Sequence, residues 1–258
     1  MLQKRIIPCL LLRDKGLVKT IQFKDARYIG DPINAVRIFN EKEVDELVFL
    51  DITASKNRHE PNIELINKIS DECNMPLAYG GGVRSVETIR HLFNAGVEKV
   101  CLNTYAVENP AFIKEASDIF GCQSIVVALD ARRNWRGRYE IFTYGGTKAT
   151  GIDVVDFAKK AEQMGAGEIF LNSIDRDGMM NGYDIDLIRK VSDAVNVPLI
   201  ACGGAGKLSD FEDALNVGKA SAVAAGSFFV YHGKKHAVLI NFPTRLEIDD
   251  ILVKKALA

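Results

Sequence analysis

In this 258-residue chain, four aspartates, one lysine and two glycine-rich turns have types and spacings that could do chemistry. Asp51 and Asp130 each close a short apolar run, and Asp175 and Asp177 follow a third. A carboxylate at the end of a buried run can act as general acid or base, or accept a hydrogen bond from a sugar hydroxyl. The other use of each is a helix cap or a turn, and Asp175-Arg176-Asp177-Gly178 is also good turn sequence. Gly80-Gly81-Gly82 and Gly203-Gly204 end two further runs, and Asn103-Thr104 and Gly226-Ser227 two more. Glycine lets a backbone N–H come close to an anion, and a following helix N-terminus adds partial positive charge. One such turn could simply relieve crowding. Two at equivalent places favour two phosphate cradles, and so a ligand with a phosphate at each end. Lys19, in Val18-Lys19-Thr20, could pair with a phosphate or stay solvated.

The elements that must position these residues alternate. Apolar runs at Arg5–Leu12, Glu46–Ile52, Pro76–Tyr79, Lys99–Asn103, Ser124–Ala131, Glu168–Ser173, Pro198–Cys202 and Ala222–Gly226 read as strands covered on both faces. Amphipathic stretches such as Asp31–Lys42, Val86–Ala95, Asp153–Gly165 and Leu208–Val217 read as helices between them. Eight strand–helix units in a chain of this length predict an α/β fold, a (β/α)8 TIM barrel, as one domain over 1–258. A doubly wound sheet ranks second, because Leu12-Arg13-Asp14-Lys15-Gly16 lacks the glycine-rich turn expected after its first strand. The strand starts repeat: 41, 30 and 23 residues apart from position 5, then 44, 30 and 24 apart from position 124. Gly80-Gly81-Gly82-Val83-Arg84-Ser85 is answered by Gly203-Gly204-Ala205-Gly206, and Leu50-Asp51 by Leu171-Asn172. This predicts a barrel of two similar halves, its site at the C-terminal strand ends.

Composition narrows the function. Lys and Arg number 33 against 34 Asp and Glu, which argues against a generally basic nucleic-acid binder. No apolar stretch reaches the length of a membrane span, and the run Ile6–Leu12 lacks a small-residue cleavage site, so neither membrane nor secretion is expected. Five cysteines without a C-x-x-C pair fit a reducing cytoplasm, with no disulfide framework and no zinc site. The four histidines show no metal-ligand spacing. Arg132, Arg133, Arg136 and Arg138 around Trp135 read as a solvated hairpin over the barrel mouth, and less well as an RNA contact.

The motifs Arg5-Ile6-Ile7-Pro8-Cys9, Asp45–Ile52, Gly80–Ser85, Asn103-Thr104, Val127–Ala131, Asp175–Gly178 and Gly203–Gly206 resemble those of HisF, the cyclase subunit family of imidazole glycerol phosphate synthase. The match runs from residue 4 to about 230. The resemblance implies a (β/α)8 barrel with a glutaminase on its N-terminal face. It also implies ammonia passing up the barrel to a bis-phosphorylated ribonucleotide, giving imidazole glycerol phosphate and an aminoimidazole carboxamide ribotide, without cofactor or metal. By the same resemblance Asp130 is a catalytic carboxylate. Lys19, Asp51 and Asp177 meet substrate, Gly82, Asn103 and Thr104 hold one phosphate, and Gly204, Gly226 and Ser227 hold the other. Arg5, Glu46, Lys99 and Glu168 occupy the positions of a charged ammonia gate; a salt-bridge ring that only stabilises the barrel is the other reading, and alternating signs suit either.

The sequence departs from that family at Leu11, where the resemblance implies a second catalytic aspartate opposite Asp130. Leucine carries no proton, and losing a general acid or base costs about 10²–10⁴ in rate. Asn172 stands where the family has threonine, and Leu239-Ile240-Asn241-Phe242-Pro243 replaces a plain amphipathic helix. These departures resemble the WbuZ-like branch associated with surface polysaccharide. The expectation is a subunit that partners a glutaminase and channels ammonia, by way of a sugar amidotransferase, to amidation of a sugar. The alternatives are a working cyclase in histidine biosynthesis and a non-catalytic barrel.

Overall fold

The computed structural model describes residues 4–233 and 235–253. Eight parallel strands close on themselves: β1 (Arg5–Arg13), β2 (Leu47–Asp51), β3 (Leu77–Gly80), β4 (Lys99–Leu102), β5 (Ile125–Arg133), β6 (Glu168–Ser173), β7 (Leu199–Cys202) and β8 (Ala222–Ala225). Each pairs with the next, and β8 returns to β1 through Arg5–Ala222 to Pro8–Ala225. The sequence expectation of a (β/α)8 TIM barrel is met.

The runs form strands because both faces are covered. Outward side chains such as Ile6, Phe49 and Leu171 pack under the helices, while Ile7, Val48, Cys101, Phe170 and Ala224 fill the interior. The longer helices are α1 (Pro32–Glu41), α2 (Ile63–Asp71), α3 (Val86–Asn94), α4 (Ala111–Phe120), α5 (Val154–Gln163), α6 (Ile185–Ser192), α7 (Leu208–Asn216) and α8 (Arg245–Val253). Five of these starts are set by side-chain caps: Asp31, Asn62, Ser85, Asp153 and Asp184 each accept a hydrogen bond from a first-turn N–H.

The halves match in detail. β1 and β5 are the long strands, and each runs on into antiparallel strands over the mouth. The first set is Gly16–Ile21 and Lys24–Gly30; the second is Tyr139–Thr143 and Lys148–Asp153. A one-turn helix follows β4 (Thr104–Glu108) and another follows β8 (Ser227–Val230). The basic segment is the expected hairpin: Trp135 is 87% exposed, with the Arg136 guanidinium 4.5 Å from its ring.

Beyond β8 the pattern changes, as the sequence suggested. Tyr231–His232 and Ala237–Val238 make a small hairpin, and an irregular segment carries Phe242 into the core, stacked on Phe229 at 5.1 Å. α8 then buries Ile248 and Ile251. Among the described residues no helix is long and apolar enough to cross a membrane.

Candidate active site at the barrel mouth

The strand ends surround a cavity of about 620 Å³. Of the residues expected at the mouth, all but Asp175 line it: Lys19, Asp51, Gly82, Asn103, Thr104, Asp130, Asp177, Gly204, Gly226 and Ser227, together with Leu11 and Asn172. The barrel brings them together from the ends of its eight strands and the segments that follow them.

Asp130 stands where β5 leaves the barrel wall for its hairpin, in register with Phe142 on one side and Asn172 on the other. Asn103 Nδ2 donates to its Oδ2 at 3.2 Å and to the Ala128 carbonyl at 2.9 Å, which fixes the carboxyl between two strands. Burial, and secondarily the negative charge of Asp177, pushes Asp130 up to about 7. A carboxylic acid so placed exchanges a proton near neutral pH, which is what general acid–base work requires.

Asp177 is committed elsewhere. Its Oδ1 accepts from Lys19 Nζ at 2.8 Å and its Oδ2 from Thr20 Oγ1 at 2.7 Å, in a pair whose residues are both 6% exposed. Lys19 is therefore not a solvated loop lysine. Its stem lies against Gly226, where a Cβ would meet Lys19 Cε at 3.1 Å. Asp51 follows its capping use: Oδ1 accepts from the Thr53 and Ala54 N–H groups and from Thr53 Oγ1. Asp175 takes the Arg133 N–H at 2.9 Å and pins the second hairpin.

Glycine is demanded at the two cradles by packing alone. At Gly82, with φ +74°, a Cβ would stand 2.7 Å from the His59 carbonyl oxygen; at Gly204, with φ +119°, it would stand 2.2 Å from that of Gly182. Beside the cradles, Thr104 Oγ1 accepts from the Tyr144 N–H at 3.0 Å. Ser227 Oγ and Asn172 Oδ1 are buried with no hydrogen-bond partner among the described residues. Buried polar atoms left open at the edge of a cavity suit a ligand that completes them.

Leu11 pairs with Val18 at the root of the first hairpin, as Asp130 pairs with Phe142 at the root of the second. It is 8% exposed and joins Val18, Leu50, Ile52 and Ala26 in one apolar cluster. Residues the sequence reading passed over also line the cavity: Phe23 and Ala26 from the first hairpin, and Cys9, Cys101 and Cys202 at its floor. Cys202 is raised well above the usual thiol range by its hydrogen bond with Cys9 and by burial. The alternation of strand residues could have found the cysteines; nothing local marks Phe23.

At the opposite end of the barrel Arg5, Glu46, Lys99 and Glu168 close a ring. Arg5 binds Glu46 and Glu168, and Lys99 binds Glu168 at 3.0 Å and Glu46 at 3.2 Å. Burial pulls the Arg5 guanidinium down, but the two carboxylates outweigh it and hold its pKa above the ordinary value. Among the described residues no group of three or more His, Cys, Asp or Glu is placed to hold a metal.

The chain matches the histidine biosynthesis protein family over residues 5–236. It is 50% identical over 249 residues to a Pseudomonas aeruginosa protein provisionally named imidazole glycerol phosphate synthase subunit hisF2, covering 96% of this chain and 99% of that one. A Leptospira borgpetersenii protein provisionally named as subunit HisF is 50% identical over 244 residues, covering 94% and 96%. The imidazole glycerol phosphate synthase subunit HisF of Alkaliphilus metalliredigens is 45% identical over 232 residues, covering 90% and 92%. A family match across most of the chain, and relatives this similar along nearly their whole length, make this protein a HisF-like member of the histidine biosynthesis protein family.

Proposed function

We propose that this subunit takes ammonia from a glutaminase docked at the N-terminal end of the barrel and delivers it through the interior to the mouth. There it serves the amidation of a sugar for surface polysaccharide, by way of a sugar amidotransferase. The observation that carries this reading is the pairing of a complete charged ring below with a half-equipped mouth above. Arg5, Glu46, Lys99 and Glu168 form the closed ring, while Leu11 stands where a second proton-transfer group would be needed opposite Asp130. In this reading Asp130 handles the one proton the mouth exchanges, and the cradles at Gly82, Asn103 and Thr104, and at Gly204, Gly226 and Ser227, hold a phosphorylated ligand. In this reading the protein works in the cytoplasm as a single-domain barrel.

A second reading is favoured by two observations: the relatives are named for imidazole glycerol phosphate synthase, and Asp130 is tuned to about 7. It is a cyclase that forms imidazole glycerol phosphate with a single carboxyl group. One experiment separates them. The chain is given ammonium and the bis-phosphorylated ribonucleotide substrate, and imidazole glycerol phosphate is measured for the unaltered protein and for Leu11→Asp. The first reading expects turnover at least about 100-fold below that of Leu11→Asp, the loss typical of a missing acid or base. Equal turnover of the two proteins establishes the second. A glutaminase whose activity rises on adding the chain, and does not rise with Glu46→Ala, supports ammonia delivery.

A further inference from the structure

The second hairpin carries residues for which the chemistry of the mouth has no use. Its tip, 132–138, holds four arginines and no acid. The tip is a built turn. Asn134 Oδ1 accepts from the Arg136 N–H at 3.0 Å and the Arg138 N–H at 3.1 Å, and the Asn134 N–H donates to the Arg138 carbonyl at 2.8 Å. That turn holds Trp135 out in solvent with the Arg136 guanidinium over its ring. The neighbouring acids are engaged at the base of the hairpin: Asp175 with Arg132 and the Arg133 N–H, Glu140 with the Gly151 N–H, Asp184 and Asp186 with the Tyr139 hydroxyl. Among the described residues no carboxylate pairs with Arg136 or Arg138. Other apolar side chains protrude at the same end of the barrel: Ile21 and Tyr28 on the first hairpin, and Met179 in the segment after β6. Lys24 and Arg27 stand among them against Asp25, all three exposed.

We propose that this end of the barrel docks on an anionic lipid bilayer, with Trp135 seated at the headgroup level and Arg136 and Arg138 on lipid phosphates. The indole has an apolar body and one N–H, which suits the boundary between headgroups and acyl chains, and the guanidinium fork matches phosphate. Charge complementarity selects an anionic surface. The spread of apolar protrusions over three separate segments selects a fluid one, since a protein partner would need a packed patch fitted to each, whereas lipids move to admit them. A nucleic acid asks for cations along an extended track, and this chain of net charge −1 gathers four on one tip. Contact with a bilayer surface requires no spanning helix, and none is present among the described residues. Docked in this way the mouth faces the lipid, and the charged ring at the N-terminal end points away from it.

Trp135 is the only tryptophan of the chain, so its emission reports the contact directly. The full chain is titrated with vesicles of phosphatidylcholine alone and of phosphatidylcholine and phosphatidylglycerol in equal parts, with cosedimentation alongside. The expected result is a blue shift and binding at least about 10-fold tighter to the phosphatidylglycerol vesicles, fading as salt rises toward about 0.5 M. Arg136→Glu with Arg138→Glu should weaken that binding about 10-fold or more and remove the shift, while Arg136→Lys with Arg138→Lys keeps both. Trp135→Ala, followed by cosedimentation, should weaken it several-fold. All three side chains are exposed, so the variants should melt with the unaltered protein. No vesicle binding, equal binding to the two kinds of vesicle, or binding untouched by the double charge reversal overturns the proposal. So does a change in Trp135 emission with single-stranded RNA and none with vesicles, which would assign the tip to nucleic acid. The ammonia chemistry of the mouth stands or falls separately in each case.

Discussion

Asp130 carries the chemistry of the mouth, and its environment has a thermodynamic cost. With its pKa near 7 instead of 3.8, the folded protein keeps a proton that the unfolded chain gives up between about pH 4 and pH 7. The stability this group supplies is present in acid and is lost as pH rises through 7. Asp130→Asn should therefore melt above the unaltered protein at pH 8, with the gap closing toward pH 4, as read by calorimetry across that range. Removing the nearby charge by Asp177→Asn should move the Asp130 titration to lower pH, followed by NMR of the side-chain carboxyl. Much of this residue scale was legible in sequence. Asp130 ends an apolar run, and the ring residues Arg5, Glu46, Lys99 and Glu168 each begin or directly precede one. The Lys19–Asp177 pair was not, because its partners lie 158 residues apart and no local spacing links them.

The first hairpin is the element the sequence hides best. Its turn places Gln22 at φ +51° and Phe23 at φ +63°, where glycine or asparagine is the usual choice. The turn is held by tertiary contacts instead: the Gln22 N–H donates to the Asp177 carbonyl at 2.8 Å, Gln22 Nε2 to the Asp175 carbonyl at 3.0 Å, and Lys19 and Thr20 to the Asp177 carboxylate. Local pattern reading sees only Val18-Lys19-Thr20 in a loop. The second hairpin is easier to read, because Tyr144-Gly145-Gly146 supplies ordinary turn residues. Lys19→Met should leave Asp177 buried without its cation, at a cost of about 3 kcal/mol. Urea denaturation would measure the loss. Hydrogen exchange should then quicken across 16–30 while β6 stays protected, since the hairpin rather than the barrel wall loses its clasp.

At the scale of the whole molecule, the alternation of strands and helices and the twofold repeat were both readable, because buried parallel strands leave continuous apolar runs. The departure after residue 230 was readable as a break, but its destination was not. Phe242 gains its place only by meeting Phe229, Phe39 lying beyond at 6.5 Å from Phe229. Phe242→Ala should cost about 3 kcal/mol, seen as a lower midpoint in chemical denaturation, because it empties a buried aromatic site. The seam between β8 and β1 has a further consequence, which concerns synthesis. β1 leaves the ribosome before the other seven barrel strands, yet one edge of it stays unpaired until Ala225 has emerged. Between the making of β1 and of β8 the nascent chain carries an open sheet edge, the kind of surface that invites pairing with a neighbouring polypeptide. The barrel's rim is thus finished by its last-made strand, and the time before that strand arrives is when the young chain most needs shelter.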